Sequence, residues 1–238
     1  MNERISVVVP LYNEEDNVDP LFNRIVAALD LMPGHDHECL LVNDGSTDGT
    51  AAAIDRLAEE DVRFRAIHLT ENCGQSAALW AGMTRANGDY ILSIDGDLQN
   101  DPADFPKIIE LLSDYDCVCG YRVNRCDTWV RKISSRIANR VRNAILRDGL
   151  RDTGCGTKGF RRECLRYLIP FNGAHRFYGA VLRNAGMRLT ECPVQHHPRQ
   201  HGVSKYGIGN RLGRGIYDLI GVAWLLRRVV YPDVEDGP

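Results

Sequence analysis

The chain has 238 residues, 44% of them hydrophobic and 26% charged, with a formal net charge of −3. That composition excludes a disordered, collagen-like or low-complexity polypeptide and is enough for one sizeable core. The near-neutral total hides a division: residues 1–119 hold 7 Lys/Arg against 23 Asp/Glu, whereas residues 120–238 hold 22 against 9.

An acidic half joined to a basic half predicts a face that meets something anionic: phosphate, a membrane surface or nucleic acid. No nucleic-acid recognition motif supports the last of these. The eight cysteines include no Cys-x-x-Cys pair, so the expectation is a reducing cytosol, with neither structural zinc nor a disulfide framework. Met1-Asn2-Glu3-Arg4 leads straight into an apolar run, and no signal peptide is expected before it.

In chain order, Ile5–Pro10 reads as a β-branched strand that ends in the polar turn Tyr12-Asn13-Glu14-Glu15. Residues 17–31 carry Val18, Leu21, Ile25 and Leu29 at helical spacing, with Asp16 or Asn17 as the expected N-cap. Glu38–Val42 is a second strand, running into Asn43-Asp44-Gly45-Ser46-Thr47-Asp48-Gly49-Thr50, and a helix over about 50–59 follows. Phe64–Leu69 is the third strand, Ser76–Ala86 a helix, and Tyr90–Ile94 the fourth strand. Strands alternating with helices at short connections predict a mainly parallel α/β sheet with helices on both faces. In such sheets ligands lie beyond the carboxyl ends of the strands, and each polar motif falls at one of those ends. The loop after the second strand is neither a dinucleotide fingerprint nor a Walker loop.

The fourth strand ends in Asp95-Gly96-Asp97-Leu98-Gln99. Carboxylates two positions apart on an extended chain share a face about 6.5 Å apart, a spacing suited to a divalent cation shared with a phosphate.

Further on, Trp129–Arg147 has Trp129, Ile133, Ile137, Val141 and Ile145 at steps of four, with Arg131, Lys132, Arg136, Arg140, Arg142 and Arg147 clustered elsewhere. The last segment has Leu212, Ile216, Leu219, Ala223, Leu226 and Val230 at helical spacing between Arg211, Arg214, Arg227 and Arg228. Both predict basic amphipathic helices, the second lying on a bilayer or packed on the domain or a second copy. The apolar run Leu219–Leu226 is too short to span a membrane. His196 and His197, near Pro193 and Pro198, read as structural histidines.

These motifs, with Asn72-Cys73-Gly74-Gln75-Ser76-Ala77-Ala78, Gly120-Tyr121-Arg122, Asp152-Thr153-Gly154-Cys155-Gly156 and Pro198-Arg199-Gln200-His201-Gly202-Val203-Ser204-Lys205-Tyr206, resemble the inverting family 2 glycosyltransferases of the GT-A fold. The nearest branch is that of dolichyl- and polyprenyl-phosphate sugar synthases. The resemblance spans about residues 4–228 and implies a Rossmann-like GT-A sheet. It divides the chain into a catalytic domain over 1–207 and an amphipathic C-terminal helix and tail over 208–238, without the transmembrane helices that often follow in that branch.

By the same resemblance Pro10, Tyr12, Glu14 and Asp44 hold the nucleotide of a UDP- or GDP-sugar. Asp95 and Asp97, with Gln99 as a further ligand, hold Mg²⁺ or Mn²⁺. Arg122, Arg199 and Lys205 face the acceptor phosphate or the leaving diphosphate, Ser204 shares a closing loop with Lys205, and His175 lies on the acceptor side. The implied reaction transfers a sugar to an undecaprenyl or dolichyl phosphate by an enzyme peripheral on the cytoplasmic face of the membrane. Transfer to a saccharide or other hydroxyl, a non-catalytic membrane scaffold of the same fold, and homo-oligomerisation all stay open from sequence.

Overall fold

The computed structural model describes residues 3–123, 129–198 and 208–231. Seven strands form one sheet: β1 (Arg4–Leu11), β2 (Asp36–Asn43), β3 (Phe64–His68), β4 (Tyr90–Ser93), β5 (Cys117–Arg122), β6 (Lys158–Arg161) and β7 (Leu189–Val194). Their spatial order is β3-β2-β1-β4-β6-β5-β7. Strands β3, β2, β1 and β4 pair in parallel, and so do β5 and β7, while β6 runs antiparallel to both of its neighbours. Two reversals across β6 leave β5 and β7 pointing the same way as β1 and β4. Six strands therefore deliver their carboxyl ends to one edge, and β6 delivers its incoming loop there. The mainly parallel α/β architecture read from the sequence is the one observed.

The sheet is covered on both faces because its strands alternate. Ile5, Val7 and Val9 of β1 pack with Val18, Leu21 and Ile25 of α1 (Glu15–Asp30), and with residues of α2 (Thr50–Glu60) and α4 (Phe105–Leu112). Val8 points the other way, into a second cluster with Ala78, Leu79 and Ala81 of α3 (Gln75–Arg85) and Tyr178, Val181 and Leu182 of α6 (Tyr178–Asn184). α3 approaches the sheet at a glycine: a Cβ on Gly82 would lie 2.4 Å from Val8 Cγ1.

The start of α1 differs from expectation. Glu14, rather than Asp16 or Asn17, occupies the N-cap position. Its amide donates to Thr50 Oγ1 at 2.9 Å, and Asn13 before it turns at φ +50°. That bond holds the chain in the turn until Glu15. Asn17 is drawn inside, donating from Nδ2 to the Glu14 carboxylate at 2.6 Å.

The two late helices, α5 (Trp129–Leu146) and α7 (Ile208–Leu226), form as expected, but their faces sort differently. The apolar stripe read along α7 splits. Leu219 and Val222 are buried against Phe177, with Phe171, Leu146 and Leu226 around them, and Asp218 pairs with Arg176 at 2.8 Å. Ile216, Tyr217, Ile220 and Trp224 form a second apolar face that remains exposed, Tyr217 at 79% and Trp224 at 63%. At about 100° per residue, the helix has one side for the domain and another for something else. Arg142, grouped by the sequence with the other basic residues of α5, is buried. Ile137, Val141 and Ile145 of α5 are exposed, while the side chains of Trp129, Ile133, Arg131, Lys132, Arg136, Arg211, Leu212 and Arg214 lie outside those described. Among the described residues, no helix is long and apolar enough to cross a membrane.

The close approach at Gly82 makes a prediction. Gly82→Ala should cost about 1–3 kcal/mol through overpacking, despite alanine's better helix propensity. Val8→Ala in the same chain should recover part of the loss, as read by urea denaturation of the single and double variants. Additive effects would contradict this packing.

Candidate active site

The site forms at the edge where the strand ends converge, and its loops hold one another. After β1, the Asn13 amide donates to Ser46 Oγ at 3.0 Å, and Asn13 Oδ1 accepts from the Thr47 amide at 2.8 Å. These bonds tie the Tyr12–Glu14 turn to the loop after β2.

Asp44 then ties that loop to the next. Its carboxylate accepts from the amides of Cys73 (2.8 Å) and Gly74 (2.9 Å) and from Asn72 Nδ2 (3.0 Å). Burial raises the Asp44 pKa above the ordinary aspartate value, and the Cys73 and Gly74 amides oppose that shift. Gly45 beside it turns at φ +66°, where a Cβ would lie 2.4 Å from the Glu71 carbonyl carbon, so only glycine fits. The sequence assigned Asp44 to the nucleotide. In the structure its carboxylate binds the 72–74 loop.

The third loop reaches the fourth through a residue to which sequence reading gave no role. Gln75, at the start of α3, donates from Nε2 to Asp95 Oδ1 at 2.7 Å. From the opposite side, Gly156 lies flat against the same carboxylate, and a Cβ there would fall 2.2–2.3 Å from its atoms. Ser93 Oγ donates to the Gly156 carbonyl at 2.9 Å and fixes the approach. Both residues lay within motifs quoted above, but their partners are distant in sequence.

Beyond Asp95 the chain turns sharply. A Cβ on Gly96 would lie 2.4 Å from Leu11 Cδ2. Leu98 sits at φ +61° while fully buried, a conformation that costs a non-glycine residue about 1–2 kcal/mol. The Asp97 carboxylate accepts from the Gln99 amide at 3.2 Å. Gln99 Nε2 is 3.5 Å from the His197 carbonyl, and the Gln99 carbonyl accepts from the His197 amide at 2.8 Å.

His197 Nε2 lies 3.0 Å from Asp101 and His196 is buried, which agrees with structural roles for both. His175 is also engaged. Its Nδ1 lies 2.7 Å from Ser76 Oγ, which accepts from the Gly173 amide at 2.9 Å. Burial, with Lys158 and Arg176 nearby, pushes the His175 pKa down to about 3, so its ring is neutral at ordinary pH.

Arg122, at the end of β5, meets Asp152 in a fork, with Nε–Oδ2 at 2.7 Å and Nη2–Oδ1 at 2.9 Å. Its charge is thus shared with a carboxylate before any ligand arrives. Arg199, Ser204 and Lys205 lie outside the described residues.

A divalent cation suits the donor set. Asp95 and Asp97 supply hard oxygens on one turn, and Gly156 gives the Asp95 carboxylate its place where any side chain would displace it. Among the described residues no three His, Cys, Asp or Glu side chains group around one point. Most of the shell would therefore come from phosphate and water, as is common for Mg²⁺.

Asp44→Asn should loosen the 72–74 loop, since an amide offers one acceptor oxygen to three donors. The expected cost is about 1–2 kcal/mol, read by urea denaturation, with faster hydrogen exchange at the Cys73 and Gly74 amides. Unchanged exchange would show that the clamp does not hold the loop.

Residues 6–169 match the Glycosyl transferase family 2 model. The chain is 40% identical over 234 residues to dodecaprenyl-phosphate galacturonate synthase of Rhizobium johnstonii, covering 96% of this chain and 69% of that protein. It is 36% identical over 219 residues to undecaprenyl-phosphate 4-deoxy-4-formamido-L-arabinose transferase of Enterobacter sp., covering 91% and 66%. It thus spans about two thirds of the length of these relatives.

Among solved structures, glucosyl-3-phosphoglycerate synthase of Mycobacterium tuberculosis, in complex with Mn²⁺, UDP and glucosyl-3-phosphoglycerate, aligns with a TM-score of 0.71 at 20% identity. That alignment covers 97% of this chain and 81% of that one. Mannosyl-3-phosphoglycerate synthase of Rubrobacter xylanophilus aligns at 0.69 and 19%, covering 95% and 74%. At such identities the likeness concerns the fold, which is that of these glycosyltransferases. On the matched model and the identity with its relatives, the chain belongs to glycosyl transferase family 2.

Proposed function

We propose that the chain transfers a sugar from a nucleoside-diphosphate sugar to a polyprenyl phosphate at a membrane surface, with inversion at the anomeric carbon. The observation that carries this reading is the Asp95–Gly96–Asp97 turn at the meeting point of the loops after β1, β2 and β3. The names of the relatives support the acceptor, and the Mn²⁺–UDP complex of the structural neighbour supports the donor.

In this reading Pro10, Tyr12, Glu14 and Asp44 border the base and ribose. Asp95 and Asp97, with Gln99 a further candidate, would hold Mg²⁺ or Mn²⁺, which supplies positive charge against the leaving diphosphate. The acceptor phosphate oxygen is already an anion near neutrality and attacks the anomeric carbon directly. The bond to the diphosphate breaks as the new C–O bond forms, and the diphosphate leaves with the electron pair. No general base has to remove a proton, unlike transfer to an alcohol. Neutral, half-buried His175 accordingly serves in the frame. Arg122, and by the family resemblance Arg199 and Lys205, stabilise phosphate charge.

The membrane side of the proposal rests on the exposed apolar faces of α5 and α7. Ile137, Val141 and Ile145 on one helix, and Ile216, Tyr217, Ile220 and Trp224 on the other, are too many large apolar groups to leave bare without a partner. Exposed Arg140, Arg147, Arg227 and Arg228 lie on the same two helices or just after them, a pattern that fits an anionic bilayer. In this reading the enzyme is peripheral, on the face where nucleotide sugars are available. It makes residues 1–207 the catalytic domain and 208–238 its anchoring segment.

Two experiments test the reading. Purified protein is given labelled UDP- and GDP-sugars, with undecaprenyl phosphate or a saccharide acceptor, with and without Mn²⁺ or Mg²⁺. Metal-dependent label in the lipid is expected with one donor, and Asp97→Asn should lose it while keeping its circular dichroism; label only in the saccharide would refute the acceptor. Separately, the protein should co-float with vesicles containing phosphatidylglycerol, and Trp224→Asp/Ile220→Asp should not. Equal flotation of the variant would show that α7 is not the contact.

A further inference from the structure

Between α5 and β6 the chain makes a loop, 147–157, that carries two elements of the site described above: Asp152, which forks onto Arg122, and Gly156, which backs Asp95. From the sheet, Glu191 of β7 holds Arg151, accepting from its amide at 2.7 Å. One face of α5 holds the residues on either side.

Arg142 lies at its centre and is only 6% exposed. It donates from Nη1 to Thr153 Oγ1 at 2.6 Å and to Asn139 Oδ1 at 2.7 Å. From Nη2 it donates to the Leu150 carbonyl and to Asp148 Oδ1 at 3.1 Å, and its Nε lies 2.8 Å from Asp148 Oδ2. Asn143 and Asn139 add bonds to the Leu150 and Arg151 carbonyls at 2.9 and 2.6 Å.

A planar guanidinium thus meets the loop at residues 148, 150 and 153, on both sides of Asp152. Asp148 is itself fully buried, so the ion pair is shielded from screening by water. The loop's other charged tie joins Arg151 to Glu191: the arginine side chain is 68% exposed, so the ion pair adds little, and the Arg151 amide carries the tie with a 2.7 Å bond to the same carboxylate.

We infer that Arg142 is a positioning residue for the transfer reaction, acting through the 148–156 loop to set the Asp152–Arg122 fork and the Gly156 backing of Asp95. It touches none of the reacting atoms. Its role in turnover rests on the function proposed above; its role in holding the loop does not.

The test therefore has two arms. Hydrogen exchange needs no turnover: Arg142→Met should speed exchange of the amides of Gly149–Gly156 at least about tenfold, and unchanged exchange overturns the inference whatever the acceptor proves to be. In turnover, Arg142→Met should lower kcat about 10- to 100-fold with a smaller change in KM. Arg142→Lys should rescue little, since an ammonium keeps the charge but not the fork; full rescue would reduce the role to charge.

In Asp152→Asn, adding Arg142→Met should cost little more, because both act through one element. Losses that multiply would overturn positioning through Asp152. If Arg142→Met fails to fold, Arg142→Met/Asp148→Asn leaves no lone buried charge and carries both measurements.

Discussion

The carboxylate of Asp95 is where the two halves of this chain meet. Gln75 holds it from the acidic half, and the bare backbone of Gly156 presses on it from the basic half. The antiparallel pairing of β4 with β6 brings the two together: Ser93 faces Lys158 in the register, so the residues just before β6 arrive beside those just after β4. Had β6 run parallel, its incoming loop would lie at the opposite edge of the sheet. The reversed strand thus decides what chemistry faces Asp95.

The loops around that point form a closed set. Asn13 is bound to Ser46 and Thr47, Asp44 to residues 72–74, Gln75 to Asp95, Gly156 to Ser93, and Asp152 to Arg122. Each link uses a backbone amide, a carboxylate or an amide side chain, the groups with the highest cost when left unpaired in a partly dry cleft. A pocket for the diphosphate of the proposed donor would gain from this arrangement, because its walls would need little reordering when the ligand enters.

Much of the first half was legible in the sequence, for a physical reason. β1, β2 and β4 carry apolar runs that stop abruptly at polar turns, and parallel strands buried on both faces read that way. The pair Asp95 and Asp97 was visible as a motif, but the spacing of two was read on an extended chain, whereas β4 ends at Ser93 and the two residues lie on the turn after it. The second half was less so. Lys158–Arg161 is four residues with a charge at each end and no alternation, and its place in the sheet depends on partners more than 30 residues away.

The burial of Arg142 was not legible because most of its acceptors lie on the following loop, which periodicity does not see. The stripe along α7 read as one face because spacing alone does not separate residues that pack on Phe177 from residues left exposed among the described ones. The N-cap of α1 shifted to Glu14 because Thr50, on another element, satisfies the turn.

Leu98 carries a consequence for timing. Its left-handed backbone is unfavourable, yet its side chain is fully withdrawn from water. Unwinding the turn would relieve the first and forfeit the second, and burial of a leucine outweighs the conformational cost, at about 2 kcal/mol or more against about 1–2. The backbone of the turn that carries Asp97 is therefore set when the chain folds. In the proposed reaction a cation would load by exchanging water for carboxylate oxygen on a turn already formed, and the hydration shell of the ion, rather than rearrangement of the polypeptide, would govern the speed.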